Sequence, residues 1–307
     1  MKKLLAIIIA LIICVSAHAQ VLYKISGNGL KEKSYILGTC HVVTSSFVDS
    51  IPGAHKALNK VSQVCGEVDN RDMMNPDTLA YIQKMMLLPG DSTIKDFITE
   101  EQYNNLCKSV YDKMGIDLTQ PQFAGFMKLR PLFFTITITA LSQQQKATNS
   151  GNASQQTKQT ETMDLYFQNK ACEKDKPCIG LESIKFQMEM LLKATESLFN
   201  MKEQVNNIIE STSKNDSAQN EVYKLVDAYK SMDIKRLEEY FAKSLKDSKN
   251  AEALVFDMRN ENWSKQMPAI MADKKTLFVV GMGHLVGGKS VLNLLKAQGY
   301  KIKAVKK

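Results

Sequence analysis

Glycine and histidine recur at one spacing near the two ends of the chain. Gly38-Thr39-Cys40-His41 follows the apolar run Tyr35-Ile36-Leu37, and Gly281-Met282-Gly283-His284 follows Thr276-Leu277-Phe278-Val279-Val280. Of four histidines in the sequence, two fall in this pattern. Each copy reads as a buried strand, a Gly-x-x-His turn and an exit into a loop. A side chain just past the carboxyl end of such a strand sits where open α/β sheets bind their ligands. Imidazole serves there as metal ligand or proton carrier. Two histidines and one carboxylate leave positions open on a metal, as a catalytic site requires. Glu67, in Gly66-Glu67-Val68-Asp69 at the end of another apolar run, supplies the carboxylate. His41, Glu67 and His284 are therefore the candidate metal set. A lone histidine in such a place is more often a hydrogen-bonded loop residue; the repeated context is what favours a shared site.

Other residues compete for roles. Asp164 lies between apolar neighbours in Met163-Asp164-Leu165, and Glu182 follows Gly180-Leu181. Each can be a ligand, a general base, a partner that orients a histidine or a plain surface acid. Arg259-Asn260 precede Trp263, the sole tryptophan. Arg259 can grip a substrate carboxylate or an oxyanion with its planar fork, with Asn260 donating beside it. The competing reading packs Trp263 inward and leaves Arg259 in a salt bridge. Glu182, Arg259, Asn260 and Asp164 are the catalytic candidates. Cys40 beside His41 is a poor nucleophile–base pair, because adjacent strand residues face opposite sides.

The elements that must position these residues are legible in outline. Val21–Ser26 and Ser34–Leu37 read as a hairpin around Gly27-Asn28-Gly29. A helix over Ala54–Lys60 and a strand over Val61–Val64 follow. The middle is helical: Asp77–Leu88, a helix capped by Thr99, an apolar stretch Pro121–Leu141 that Pro131 should kink or split, and Glu161–Cys172. Ser142–Thr160 is almost wholly polar and reads as a mobile loop with nothing to bury. A short strand at Cys178–Gly180 leads to one long amphipathic helix over Phe186–Ile209, then helices over Ala218–Tyr229, Ile234–Lys243 and Ala251–Ala272. Strand Thr276–Val280, helix Ser290–Ala297 and strand Tyr300–Val305 close the chain. The terminal units supply most of the strands, so they must share a sheet to bury both faces. The expected fold class is α/β: a central mixed sheet from the N- and C-terminal strand units, with a large helical lobe at about 75–272 inserted in a single domain, 20–307.

Composition bounds the setting. Lys2-Lys3, the apolar Leu4–Val15 and Ala17-His18-Ala19 before Gln20 have the form of a Sec-type signal peptide over residues 1–19. No later stretch reaches the ~18 apolar residues a span needs. The expectation is an exported protein, periplasmic or extracellular; an uncleaved anchor is the alternative. The formal net charge of +8 is scattered, with no basic stripe interleaved with aromatics, so nucleic acid is not an expected partner. Cys40, Cys65, Cys107, Cys172 and Cys178 remain after the leader, an odd count without metal-finger spacing.

Taken in order, these segments resemble the TraB/PrgY/GumN family, which includes the Tiki-type metalloproteases. Tyr35–Val42 is similar to the first Gly-x-x-His motif, Gly66–Asp69 to the acid at the second strand, Gly180-Leu181-Glu182 to the mid-chain Gly-Leu-Glu, Arg259-Asn260 with Trp263 to the Arg-Asn segment, and Phe278–Leu285 to the closing motif. The resemblance implies a fold of the erythromycin-esterase and ChaN kind, a divalent metal (Mn, Co or Zn) at His41, Glu67 and His284, and hydrolysis of a peptide bond in a peptide or protein substrate. On this reading the metal activates a water and Glu67 or Glu182 takes its proton. The alternative is an envelope protein that binds a peptide or a haem-type ligand without turning it over. Cys40 stands where an aliphatic residue is commoner, and Ser142–Thr160 looks like an insertion.

Overall fold

The computed structural model describes residues 20–138, 141, 161–212, 217–244 and 249–306. Residues 1–19, expected to be a signal peptide, and the whole polar tract Ser142–Thr160, expected to be a mobile loop, fall outside them. Six strands form one mixed sheet: β1 (Leu22–Gly27), β2 (Ser34–Thr39), β3 (Gln63–Gly66), β4 (Cys178–Gly180), β5 (Thr276–Gly281) and β6 (Tyr300–Ala304), in the order β4-β3-β5-β2-β1-β6. β4, β3, β5 and β2 run parallel; β1 lies antiparallel to both β2 and β6. The α/β class and the mixed sheet shared by the chain's two ends are as expected.

Burial follows the pairing. All four residues of β3 and the first five of β5 are buried, as parallel strands covered on both faces must be. β1 buries only Leu22 and Ile25, and the edge strand β6 only Tyr300. The parallel register decides where the site lies. Thr39 of β2 pairs with Gly281 of β5, Gly66 of β3 with Val279, and Gly180 of β4 with Gly66. Four neighbouring strands thus end at one edge, and His41, Glu67, Glu182 and His284 all follow those ends. The ladder continues briefly into the loops, where Glu182 N–H donates to the Glu67 carbonyl at 2.9 Å.

Helices flank this edge. α1 (Ala54–Lys60), α2 (Pro76–Met86), α3 (Glu100–Met114) and a helix over 131–138 precede α4 (Met163–Cys172). Thr99 caps α3, reciprocated by Gln102. Pro131 splits its apolar stretch into a 3-10 segment (Pro121–Lys128) and the following helix, which it opens. The helix expected over Phe186–Ile209 is in fact two, α5 (Ile184–Leu198) and α6 (Met201–Thr212). Asn200 separates them: its Oδ1 accepts from Glu203 N while its own N–H donates to Glu203 Oε2, at 3.0 and 2.8 Å. That reciprocal cap starts a new helix where hydrophobic rhythm alone runs on. α7 (Ser217–Lys230), α8 (Ile234–Ser244), a single helical turn (Lys249–Glu252) running into a π-helical turn (Ala253–Asp257), α9 (Met258–Asp273) and α10 (Val291–Ala297) follow. The main core surrounds the sheet. A second cluster, including Leu106, Val110, Phe134, Val205 and Ile208, is built from helices alone.

Candidate active site

His41 sits at the mouth of the strand-end cleft, its side chain 65 % exposed. Its Nδ1 lies 3.0 Å from Asp164 Oδ2. Asp164 is in the first turn of α4, and Thr39 Oγ1 donates to its other oxygen at 2.7 Å. Asp164 Oδ2 is buried and receives no other hydrogen bond among the described residues. Its charge answers the imidazole, and the pairing lifts His41 to about 9 against the opposing effect of burial. Of the roles open to Asp164, the geometry gives it that of orienting His41.

Behind His41 is a buried ion cluster. Arg259 Nη2 donates to Glu67 Oε2 at 2.7 Å and to Glu182 Oε1 at 2.6 Å, and Nε donates to Glu182 at 3.0 Å. Nη1 donates to the Val255 carbonyl at 3.0 Å and lies 3.1 Å from His284 Nε2. Every N–H of the guanidinium therefore has an acceptor, and none is left over for a substrate carboxylate or an oxyanion. Val255 belongs to the π-helical turn, a feature concentrated at functional sites. Trp263 Nε1 donates to Glu182 Oε2 at 3.0 Å, so the inward tryptophan and the salt-bridged arginine occur together. Burial pushes the Glu182 carboxyl up, opposed by Arg259. With its side chain 2 % exposed and both oxygens engaged, Glu182 is an anchor for Arg259 and is poorly placed to meet a water.

Glu67 and His284 complete the floor. Glu67 Oε1 accepts from Gly281 N at 2.7 Å, and Oε2 accepts from Gln187 as well as Arg259. Burial would raise its carboxyl, but the charge of His284 where that ring is protonated, the Arg259 guanidinium and the Gly281 N–H outweigh that and bring it to about 2. His284 is itself held low, at about 3, by burial and by the charge of Arg259. It is thus neutral, so Arg259 carries the positive charge that compensates Glu67. The His284 Nδ1–H donates to Asn260 Oδ1 at 2.6 Å, while Asn260 Nδ2 donates to the Lys289 carbonyl at 3.0 Å. Asn260 fixes the tautomer of His284 and does not face the cleft as a donor. Phe256 and Trp263 wall the His284 ring at centroid distances of 5.1 and 4.3 Å.

The fold thus brings both histidines, Glu67, Asp164, Glu182, Arg259 and Asn260 into one network. A Cβ built on Gly281 would come within 3.2 Å of Glu67 Oε1 and 3.8 Å of both His41 Nε2 and His284 Cδ2. The convergence suits a metal in residue type but not in orientation. His284 turns a ring carbon to that point, while its Nε2, the atom that would bind a cation, accepts from Arg259. A fixed guanidinium charge already bridges Glu67, Glu182 and His284. Among the described residues no group of three His, Cys, Asp or Glu side chains could hold a metal ion. As arranged, the three side chains do not fit a divalent metal.

Thr39, Gln187 and Phe256 were not legible as site residues. Thr39 carried one signal, since strand alternation puts it on the side of His41, two residues on. Gln187 and Phe256 reach the site through the helix after β4 and the π-helical turn, which sequence spacing does not announce.

The profile of the TraB/PrgY/gumN family matches residues 21–304. The chain belongs to that family. Curated relatives at greater distance include proteins named metalloprotease TIKI2, 22 % identical in Danio rerio and 21 % in Xenopus tropicalis. Each match covers 88 % of this chain, but only 58 % and 57 % of those proteins. No solved structure matches it significantly. Among the described residues no helix is long and apolar enough to cross a membrane.

Proposed function

We propose that this family member is a hydrolase that cleaves peptide bonds in a peptide or protein substrate outside the cytoplasm. The observation that carries the reading is the His41–Asp164 pair at the mouth of a cleft whose floor is a locked ion cluster. His41 Nε2 faces the space over Gly281, beside Glu67 Oε1. A water there would be held by the carboxylate while the imidazole takes its proton; the same imidazolium then returns the proton to the leaving amine. Asp164 keeps the ring oriented and stabilises its charged form. Glu67, Glu182 and Arg259 act by fixing the field of the floor, because their hydrogen bonds are already made. Export is supported by the leader-like residues 1–19, and the names of the TIKI2 relatives support a protease. The reading treats 20–307 as one domain, with the helical lobe walling the cleft.

A second reading keeps the divalent metal on His41, Glu67 and His284. The convergence of the three around Gly281 and the relatives' name favour it. It requires Arg259 to release His284.

The test uses the chain without its leader, freed of metal by chelation, on a denatured protein substrate with fragments read by mass spectrometry. Cleavage that persists after chelation and is lost in His41→Ala supports the first reading. Cleavage restored only by Mn, Co or Zn, with retained metal lost in His284→Ala, supports the second. Stoichiometric substrate binding without fragments would leave a binding protein.

A further inference from the structure

The cleft beside His41 encloses about 790 Å³, within the range of pockets that bury most of a small ligand. Its walls are apolar, with Leu191 of α5, Leu225 of α7, Phe241 of α8, and Val255 and Phe256 of the π-helical turn among them. Phe241 and Phe256 meet edge to face with centroids 5.7 Å apart, giving one side a rigid aromatic surface. The rim continues this chemistry. Val42, Met73 and Leu165 line the opening and remain 55, 42 and 38 % exposed. Exposed apolar groups gathered on one cleft beside a reactive centre mark a binding surface, and methionine adapts to differing shapes.

The charge accounting of the cleft excludes most other occupants. Both oxygens of Glu67 hold donors, and each N–H of Arg259 has an acceptor. Asp164 faces His41 and Thr39. Gln168 accepts from Asn70 N and donates to the Val68 carbonyl. Among the described residues only His41 turns an unpaired ring nitrogen to the cleft, and that nitrogen is the one the reaction uses, so a charged substrate side chain seated along the apolar walls would lose its water and gain nothing in return.

Resting on the hydrolase reading above, we propose that this cleft selects peptides whose residues flanking the scissile bond are large and apolar (Leu, Met or Phe), seated between the Phe241–Phe256 wall and the Val42–Met73–Leu165 rim. The probes are acetylated, amidated hexapeptides Ala-Ala-X-X-Ala-Ala with X as Leu, Met, Phe, Ser, Lys or Asp. Binding to the His41→Ala chain is measured by calorimetry, and cleavage by the wild-type chain by mass spectrometry. The apolar peptides should bind roughly tenfold or more tightly than the Ser, Lys and Asp peptides. Met73→Lys with Leu165→Lys should erase that preference. Leu79→Lys, at a site equally exposed but outside the cleft, should keep it. If the double variant does not fold, each single variant serves in its place. Equal affinity across the series, preference for a charged peptide or no binding of any probe would overturn the inference. Selective binding with no fragments would sink the hydrolase reading alone, and cleavage without selectivity would sink this inference alone.

Discussion

Arg259 Nη1 lies 3.1 Å from His284 Nε2, so a permanent cation occupies the lone pair that a metal would use. Because the same guanidinium neutralises Glu67 and Glu182, its removal should be felt first in the fold. Arg259→Ala leaves two buried carboxylates without their partner, a loss of roughly 3–5 kcal/mol for broken buried ion pairs, measured by urea unfolding. The vacated charge should also open the site. Mn, Co or Zn should raise the Tm of Arg259→Ala and leave that of the wild type unmoved. An equal metal-induced rise in both proteins would show that the guanidinium does not stand in a metal's way.

The His41–Asp164 pair predicts opposite pH slopes for stability and for catalysis. A histidine raised from 6.5 to about 9 stabilises the fold fully below pH 6.5, and that contribution fades as pH climbs through about 9. Only neutral imidazole accepts a proton, so kcat/KM for peptide cleavage should increase with pH through about 9. Asp164→Asn removes the carboxylate charge and should bring the inflection down toward 6.5. An inflection that stays near 9 in this variant would show that another group titrates.

The two motif glycines should fail in different ways. On Gly38 a Cβ would overlap Met282 Sδ and stand 3.3 Å from the Met282 backbone, where β2 packs against the turn after β5. Gly38→Ala should therefore destabilise the fold by about 1–3 kcal/mol, the usual cost of overpacking. On Gly281, where φ is −58° and no strain arises, the added methyl would enter the space over Glu67 Oε1. Gly281→Ala should keep its Tm within a few degrees and lose roughly tenfold or more in kcat/KM, since small displacements of reacting groups are costly. Thermal melts and kinetics on the two variants, run side by side, check both statements.

What the sequence made legible was the set of strand ends. Apolar runs such as Thr276–Val280 announce buried strands, and a parallel register carries their carboxyl ends to one edge, so His41, Glu67, Glu182 and His284 were identifiable before any geometry. Roles were less legible than places. Whether His284 offers Nε2 to a metal or to Arg259 depends on Asn260 fixing the ring and on the π-helical turn lending a carbonyl to the guanidinium, and neither has a periodic signature. The break at Asn200 was missed for a related reason, since a capping interaction outvoted a continuous hydrophobic rhythm.

Cys172 and Cys178 flank the turn into β4 with their sulfurs 3.8 Å apart, both as thiols. Burial pushes the Cys178 thiol up to about 12, whereas Cys172 is exposed. In an oxidising compartment the exposed thiol should react first. With oxidised glutathione, Cys172 should form the mixed disulfide and release one glutathione; Cys178 should then displace the second and close the pair. The product should have a mass lower by two hydrogens and two fewer titratable thiols, and a peptide map should join residues 172 and 178. Since Cys178 begins the strand that delivers Glu182, the closed pair should raise Tm without altering kcat/KM. A glutathione adduct that persists on Cys172 would show that the buried partner cannot reach it.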